Sequence, residues 1–334
     1  MATMDVFGDN AFGVIALTAA IQNVIYTPRY LEQSGLFSNT SGISTLDAFI
    51  DWRQNALQLL DVSPRGGTEK PIPLSSRTAR PFRITHIQQN DFVTADEVLG
   101  VRAFGTESEM ETVGQLVAEK LRIMGESIRY TQEAHRLNSV KGNMWTANGQ
   151  NISLFTEFGL TQQTLNMALA TEATLMRAKC LEIIEKQETA LDGRSGEITE
   201  SVAYCGAQFF KDLVEQKSIR ETYLNTMQAS ALRGNPSMEF SFGGIRWVRY
   251  RGTASVGIHT DEAYVVPSGV SNMFLTRYGP ADFIEAAGTR GQPLYARQHM
   301  RADGKGVNLE AQSNPLILNT QPDAVIRLHR AAGL

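Results

Sequence analysis

Ala95-Asp96-Glu97-Val98-Leu99-Gly100-Val101-Arg102-Ala103-Phe104-Gly105-Thr106-Glu107 is a glycine-punctuated turn that runs straight into a long amphipathic segment. Thr106-Glu107-Ser108-Glu109 has the form of a capping box, a hydroxyl residue followed three positions later by Glu, so two otherwise orphaned backbone donors find partners. Glu107, Glu109 and Glu111 place negative charge at the positive end of the helix dipole. Met110, Val113, Val117, Leu121, Met124 and Ile128 then recur at spacings of three and four, and Leu116, Ile123, Tyr130 and Leu137 recur every seven, which gives a wide apolar face. The spacing predicts a helix over about 108–138, roughly 45 Å long at about 1.5 Å per residue, which exceeds the ordinary globular helix. The stripe fades after Ile128, where Thr131, Gln132 and His135 intervene, and this argues against a coiled coil.

Upstream, residues 1–42 read as an arm, with apolar positions at Phe12, Ile15, Leu17, Ala20, Ile21, Val24 and Ile25. Thr27-Pro28 ends that run, because the residue before proline is pushed out of the helical region. Residues 43–92 read as a long β-hairpin. Leu46, Ala48, Ile50 and Trp52 alternate with polar residues, although Phe49 blurs the pattern, and Phe82 to Ile87 forms the return limb with a clean period of two. The tip, Pro64-Arg65-Gly66-Gly67-Thr68-Glu69-Lys70-Pro71, is too rich in Pro and Gly for regular structure. An isolated two-stranded ribbon is marginal in water, so a partner surface is expected.

Downstream, Asn148-Gly149 and Gly243-Gly244 mark two tight hairpin turns. Helices are expected near 170–190 and 206–228, strands over Ile198 to Tyr204, Glu262 to Pro267 and Met273 to Thr276, and closing strands over Leu316 to Asn319 and Ala324 to Leu328.

The chain has 334 residues, so two lobes are a fair expectation. Its net charge of −4 argues against coating nucleic acid as a primary task, which calls for a basic surface. Cys180 and Cys205 are too few and too far apart for a metal or disulfide pattern and are expected to be buried. The apolar run Phe12 to Ile21 is shorter than a membrane span and lacks the flanking cations of a secretion signal. No phosphate-binding glycine loop, dinucleotide fingerprint, nucleophile elbow or zinc helix is present. The five histidines are scattered, and the acidic pairs Asp96/Glu97 and Asp261/Glu262 are adjacent residues whose side chains are expected to point apart. Asp96/Glu97 with Arg102 reads most simply as a salt-bridged turn. No catalytic residue, cofactor or metal is therefore assigned.

The stretch around Gly100, with Pro64-Arg65-Gly66-Gly67 and Leu309-Glu310-Ala311-Gln312-Ser313-Asn314-Pro315-Leu316, resembles the lambda-like major capsid proteins of tailed phages. The resemblance runs from Met4 to Leu328. It implies the α+β Hong Kong 97-type capsid fold, with an N-terminal arm, an extended loop, a peripheral domain over 93–159 and 296–334 carrying the spine helix, and an inserted axial domain over 160–295. It implies a shell of hexamers and pentamers around double-stranded DNA, assembled in the host cytoplasm, with a scaffolding protein, a portal and a decoration protein as partners. Because the arm begins almost at once, the scaffold is expected to be a separate protein. Intersubunit contacts are expected from Pro64, Arg65, Gly66, Gly67 and Lys70 at the loop tip and from Phe12 and Ile15 in the arm. Ser230–Asn235 and Pro267–Asn272 are candidates around the axes, and Gly100, Gly105 and Gly142 are candidate hinges. Lys70 is the one lysine before Lys120 and hence the sole candidate for a Lys–Asn cross-link, which is not expected in lambda-like members. An encapsulin-like nanocompartment shell and an α+β enzyme with a lid over 60–75 are the alternatives.

Overall fold

The computed structural model describes residues 30–53, 77–94, 97, 113–224, 239–253 and 255–331. The chain enters through a short helix α1 (Tyr30–Gln33), an edge strand β1 (Asn39–Gly42), and an antiparallel pair β2 (Asp47–Arg53) and β3 (Arg77–Arg83). Asp47 pairs with Arg83 and Arg53 with Arg77, so the ladder is the stem of the expected hairpin. The return limb differs from the expected 82–87. Strand β3 stops at Arg83, and β4 (Ile87–Thr94) joins another sheet. The backbone changes partner in between. Ile84 N–H still donates to Leu46 O at 3.0 Å, whereas Thr85 N–H donates to Pro315 O at 3.1 Å.

The long helix α2 (Val113–Val140) is followed by the hairpin β5 (Asn143–Trp145) and β6 (Asn151–Ser153), the helix α3 (Leu154–Phe158) and the strand β7 (Thr164–Asn166). Then come α4 (Met176–Leu191), β8 (Glu200–Cys205), α5 (Ala207–Glu215) and α6 (Lys217–Leu224). One helix was expected over 206–228, but the described part is broken at Gln216, whose backbone is extended. Its buried side chain caps the second helix and ties the break to the turn before α4. Nε2 donates to Thr171 O and Thr174 O, and Oε1 accepts Ser218 N–H at 2.6 Å, acting as a cap for α6. The remaining strands are β9 (Glu239–Phe242), β10 (Ile245–Arg249), β11 (Glu262–Ser268), β12 (Phe274–Tyr278), β13 (Tyr295–Met300), β14 (Gly306–Ser313), β15 (Pro315–Asn319) and β16 (Ile326–His329).

Three larger sheets result. Strands β13-β14-β4 form an antiparallel sheet, β1-β12-β15 a second, and β7-β16-β11-β8-β10-β9 a mixed six-stranded one. Helix α2 spans two of them. Val117, Leu121, Met124 and Ile128 pack on Val93, Val307, Leu309 and Ala311 of the first sheet. Leu137 and Val140 join Tyr204, Val248 and Tyr264 on one face of the six-stranded sheet. The other face of that sheet is covered by α4 and α5, through Met176, Ile183, Phe209 and Leu213 around the fully buried Trp247.

The strands from Tyr295 onward divide among the three sheets. Only β13 and β14 stay with the spine-helix sheet. Strand β15 pairs with β12, and β16 lies between β7 and β11, deep in the six-stranded sheet. The reason lies in the side chains. Every residue of β15 is buried, and Ile326 and Leu328 of β16 complete the core around Trp247.

At the end of α2, Gly142 adopts φ +79, and a Cβ there would run into the ring of Phe155. Gly142→Ala is expected to cost about 1–3 kcal/mol, read as a lower midpoint in urea unfolding. An unchanged midpoint would mean that the Phe155 ring has room to move.

Candidate intersubunit surfaces

The hairpin stem has two unlike faces. Ala48 and Phe82 are buried against Met144, Leu154, Phe158, Leu316 and Leu318. Phe49, opposite Pro81, points the other way and is 68% exposed, with Leu46 at the root 51% exposed. The residue that spoils the alternation in sequence is thus the outward one. Phe49 and Leu46 put apolar surface on the solvent side of the stem.

The apolar stripe does fade at Thr131, Gln132 and His135, yet much of the polar second half of α2 is buried, Gln132, Glu133, His135 and Arg136 among it. Gln132 Nε2 donates to Ser313 Oγ at 2.8 Å. Glu133 Oε1 accepts Leu31 N–H at 2.7 Å and pairs with Arg136 at 3.4 Å, both side chains being 4% exposed. His135 stacks near Trp145 with ring centroids 5.2 Å apart. Gln132 and Glu133 find long-range partners in Ser313 and Leu31, so these polar side chains dock the helix instead of facing water.

Burial, reinforced by the neighbouring Arg136 cation, pushes the His135 imidazole down to about 4. The unfolded side chain takes up its proton near 6.5, so acidification favours unfolding, and stability is lost as pH falls from 6.5 towards 4, by up to about 1.4 kcal/mol per pH unit. Glu133 responds with the opposite sign, because desolvation raises its carboxyl despite the Leu31 N–H and Arg136. Unfolding free energies of the chain and of His135→Asn between pH 7 and 4 isolate the histidine. The difference between the two should close as pH falls, and parallel curves would refute the assignment.

The loop after β11 is rigidly held. Arg194 forms an ion pair with Glu197 at 3.0 Å, Glu197 accepts Ser271 N–H at 2.7 Å, and Thr320 Oγ1 donates to Asn272 O at 2.9 Å. Together with residues 35–39 this loop borders a groove of about 430 Å³ lined mainly by polar atoms. Within Pro267–Asn272, Pro267 is buried in β11, and the residues from Ser268 to Asn272 form the accessible part of this loop.

Of the other residues singled out in the sequence, Gly142 lies at the α2 terminus as described. Phe12, Ile15, Pro64, Arg65, Gly66, Gly67, Lys70, Gly100, Gly105 and the Ser230–Asn235 loop lie outside the described residues, as does the start expected for the spine helix. Glu97 is described, and it receives Thr94 N–H at 3.1 Å and Lys120 Nζ at 3.1 Å. The Asp261/Glu262 pair is split as expected. Asp261 pairs with Arg330 at 3.0 Å and Glu262 with Arg327. Cys180 and Cys205 are buried, and desolvation raises both thiols, Cys180 to about 12. Among the described residues no group of His, Cys, Asp and Glu could hold a metal, and no helix is long and apolar enough to cross a membrane.

The long helix on an antiparallel sheet, the projecting hairpin and the second, helix-covered sheet define a subunit of the Hong Kong 97-type capsid fold. The capsid structure of cyanophage P-SCSP1u superposes with a TM-score of 0.55 at 14% identity, over 93% of this chain and 91% of that one. Residues 13–330 match the Phage major capsid protein E family, and the chain belongs to it. It is 26% identical over 276 residues to the major capsid protein of Pseudomonas phage KPP10, covering 75% of this chain and 78% of the relative. It is 23% identical over 353 aligned positions to that of Salmonella phage Felix O1, isolate Felix O1-VT1, covering 94% and 95%.

Proposed function

We propose that the chain is the major shell subunit of a tailed phage, which assembles into hexamers and pentamers enclosing double-stranded DNA. The family match over residues 13–330 carries this reading. Identical chains meet through heterologous contacts that close around symmetry axes, and many weak contacts acting together make the particle persist. The net charge of −4 suits a container that holds DNA without gripping its sequence. A scaffolding protein, a portal ring and a decoration protein complete the assembly in the host cytoplasm.

In this reading the hairpin reaches over a neighbouring subunit through Pro64 to Lys70, and the arm with Phe12 and Ile15 packs on another copy. The peripheral body is α2 with β4, β13 and β14, and the axial body is the six-stranded sheet including β16. The latter division follows the pairing of Ile326–His329 with β7 and β11. Gly100, Gly105 and Gly142 are the places where the two bodies would bend during shell expansion.

The test is sedimentation and electron microscopy of the chain, expressed alone and with its neighbouring phage genes. Hollow icosahedral particles, or hexamers and pentamers able to form them, are expected, and the particles should disappear when residues 64–70 are replaced by Gly and Ser while the subunit stays folded. A stable monomer under both conditions would overturn the reading, and a co-purifying cargo enzyme inside the particles would convert it to a nanocompartment.

A further inference from the structure

Between β12 and β13 the chain makes a loop over residues 279–291 that is more ordered than a connection requires. Phe283 and Tyr295 meet edge to face with centroids 6.4 Å apart, and Ala281 and Ala286 close a small core around them. Arg297 stacks over the Phe283 ring at 5.2 Å. Gln312 Nε2 donates to Asp282 Oδ1 at 2.7 Å, Asn314 Nδ2 to Pro280 O at 2.7 Å, and Thr289 Oγ1 to Ala286 O at 2.7 Å. Gly291 N–H donates to Ile43 O at 3.0 Å, fixing the loop to the root of the hairpin. At its tip this framework presents Ile284, which at 89% exposure is the most exposed of the large hydrophobic side chains among the described residues.

The tip also has a distinctive charge pattern. Glu285 follows Ile284 directly and Arg290 lies further along the same loop; both are exposed, and neither side chain has an ion pair or hydrogen bond among the described residues. This contrasts with Asp282 and Arg297 of the same framework, each of which is engaged within the chain. A loop that carries an exposed aliphatic side chain with one unpaired anion and one unpaired cation can be self-complementary: the Glu285 of one copy can meet the Arg290 of the next while the isoleucines pack against each other. Preorganisation of the loop removes most of the ordering cost that such a small contact would otherwise carry, and a central apolar anchor with a charged rim is the usual anatomy of a binding hot spot.

We propose that the 279–291 loop is a self-contact site. Loops from neighbouring copies meet around a symmetry axis of the shell, with Ile284 at the centre and Glu285–Arg290 pairs around it. The proposal rests on the shell reading, and its test is made on assembled particles so that the two can fail separately. Ile284→Cys is introduced on the native background, whose two cysteines are buried, and particles are oxidised and run on a non-reducing gel. Disulfide-linked dimers are expected, with none from Ala173→Cys on the exposed turn before α4. In parallel, Glu285→Arg is expected to cut particle yield about tenfold, since a small loss per contact is multiplied over many copies, and Glu285→Arg with Arg290→Glu should restore it. Particles of the Ile284→Cys chain that give no disulfide-linked dimer, together with an undiminished particle yield from Glu285→Arg alone, would overturn the self-contact and leave the shell reading intact. A photo-reactive residue at position 284 that couples to the hairpin stem or to a different protein would likewise overturn it. Failure of the wild-type chain to form particles would count against the shell reading itself.

Discussion

Glu133→Ala lowers the stability of the folded subunit by about 3–5 kcal/mol, the usual consequence of removing one partner from a buried ion pair. Two groups depend on this one carboxylate. Arg136, 4% exposed, sits 3.4 Å from it, and Glu32, the other acid within reach, is 3.9 Å away and far more open to solvent. The Leu31 N–H has its bond at 2.7 Å to the same side chain. Alanine strands both the cation and the amide in a dry site. The effect reaches further than stability, because Leu31 is where α1 is pinned to α2, and the arm leads directly into α1. Glu133→Gln keeps an acceptor for Leu31 while removing the charge that Arg136 needs, so it falls between wild type and alanine. Urea unfolding of the three proteins should rank them in that order. A loss below about 1 kcal/mol for alanine would show that Glu32 swings in to replace Glu133.

Gly291→Ala comes second, at upward of about 3 kcal/mol for overpacking that cannot relax. A Cβ at this position meets the Tyr278 carbonyl and the Gly279 backbone. Main-chain atoms held in the β12 ladder cannot step aside as a flexible side chain would. Gly42 faces Gly291 across the same junction, and its own Cβ would strike the Gly291 carbonyl. The pair lets β1, the hairpin root and the 279–291 loop approach to backbone contact. Thermal unfolding with a circular-dichroism readout checks the prediction, and a variant with the wild-type midpoint would refute the close approach. A folded variant with impaired assembly would trace the effect to displacement of the Ile284 loop.

What could be read from the sequence was what depends on local pattern. The core of the long helix follows from the spacing Val117–Leu121–Met124–Ile128, which is the face packed on the sheet. The turns at Asn148-Gly149 and Gly243-Gly244 follow from dipeptides that accept positive φ, as Gly149, Gly243 and Gly244 do. Hidden from sequence was whatever depends on a distant partner. The change of sheet at Ile84 to His86 leaves no mark, since alternation continues through it while the hydrogen-bond partner moves from Leu46 to Pro315. Gln132, Glu133 and His135 have the composition of a solvated surface, and only Ser313, Leu31 and Trp145 reveal them as interior. Among the candidate contact residues, Phe49 did leave a trace, as an apolar residue out of phase with its strand. Ile284 left none, because one aliphatic residue in a loop is ordinary until its neighbours are seen to turn inward and leave it outside.

The position of β16 bears on how the subunit comes into being on the ribosome. Thr164 to Asn166 of β7 have one neighbour in their sheet, and that neighbour is Arg327 to His329. Strand β11 likewise waits for Ile326 to His329 along one edge. More than half the axial body can therefore be synthesised with an open seam through its sheet, closed by a segment translated about 160 residues after β7. Pairings this distant in sequence are slow to form, and exposed strand edges invite association in the meantime. A nascent chain therefore cannot complete the six-stranded sheet until translation has passed His329.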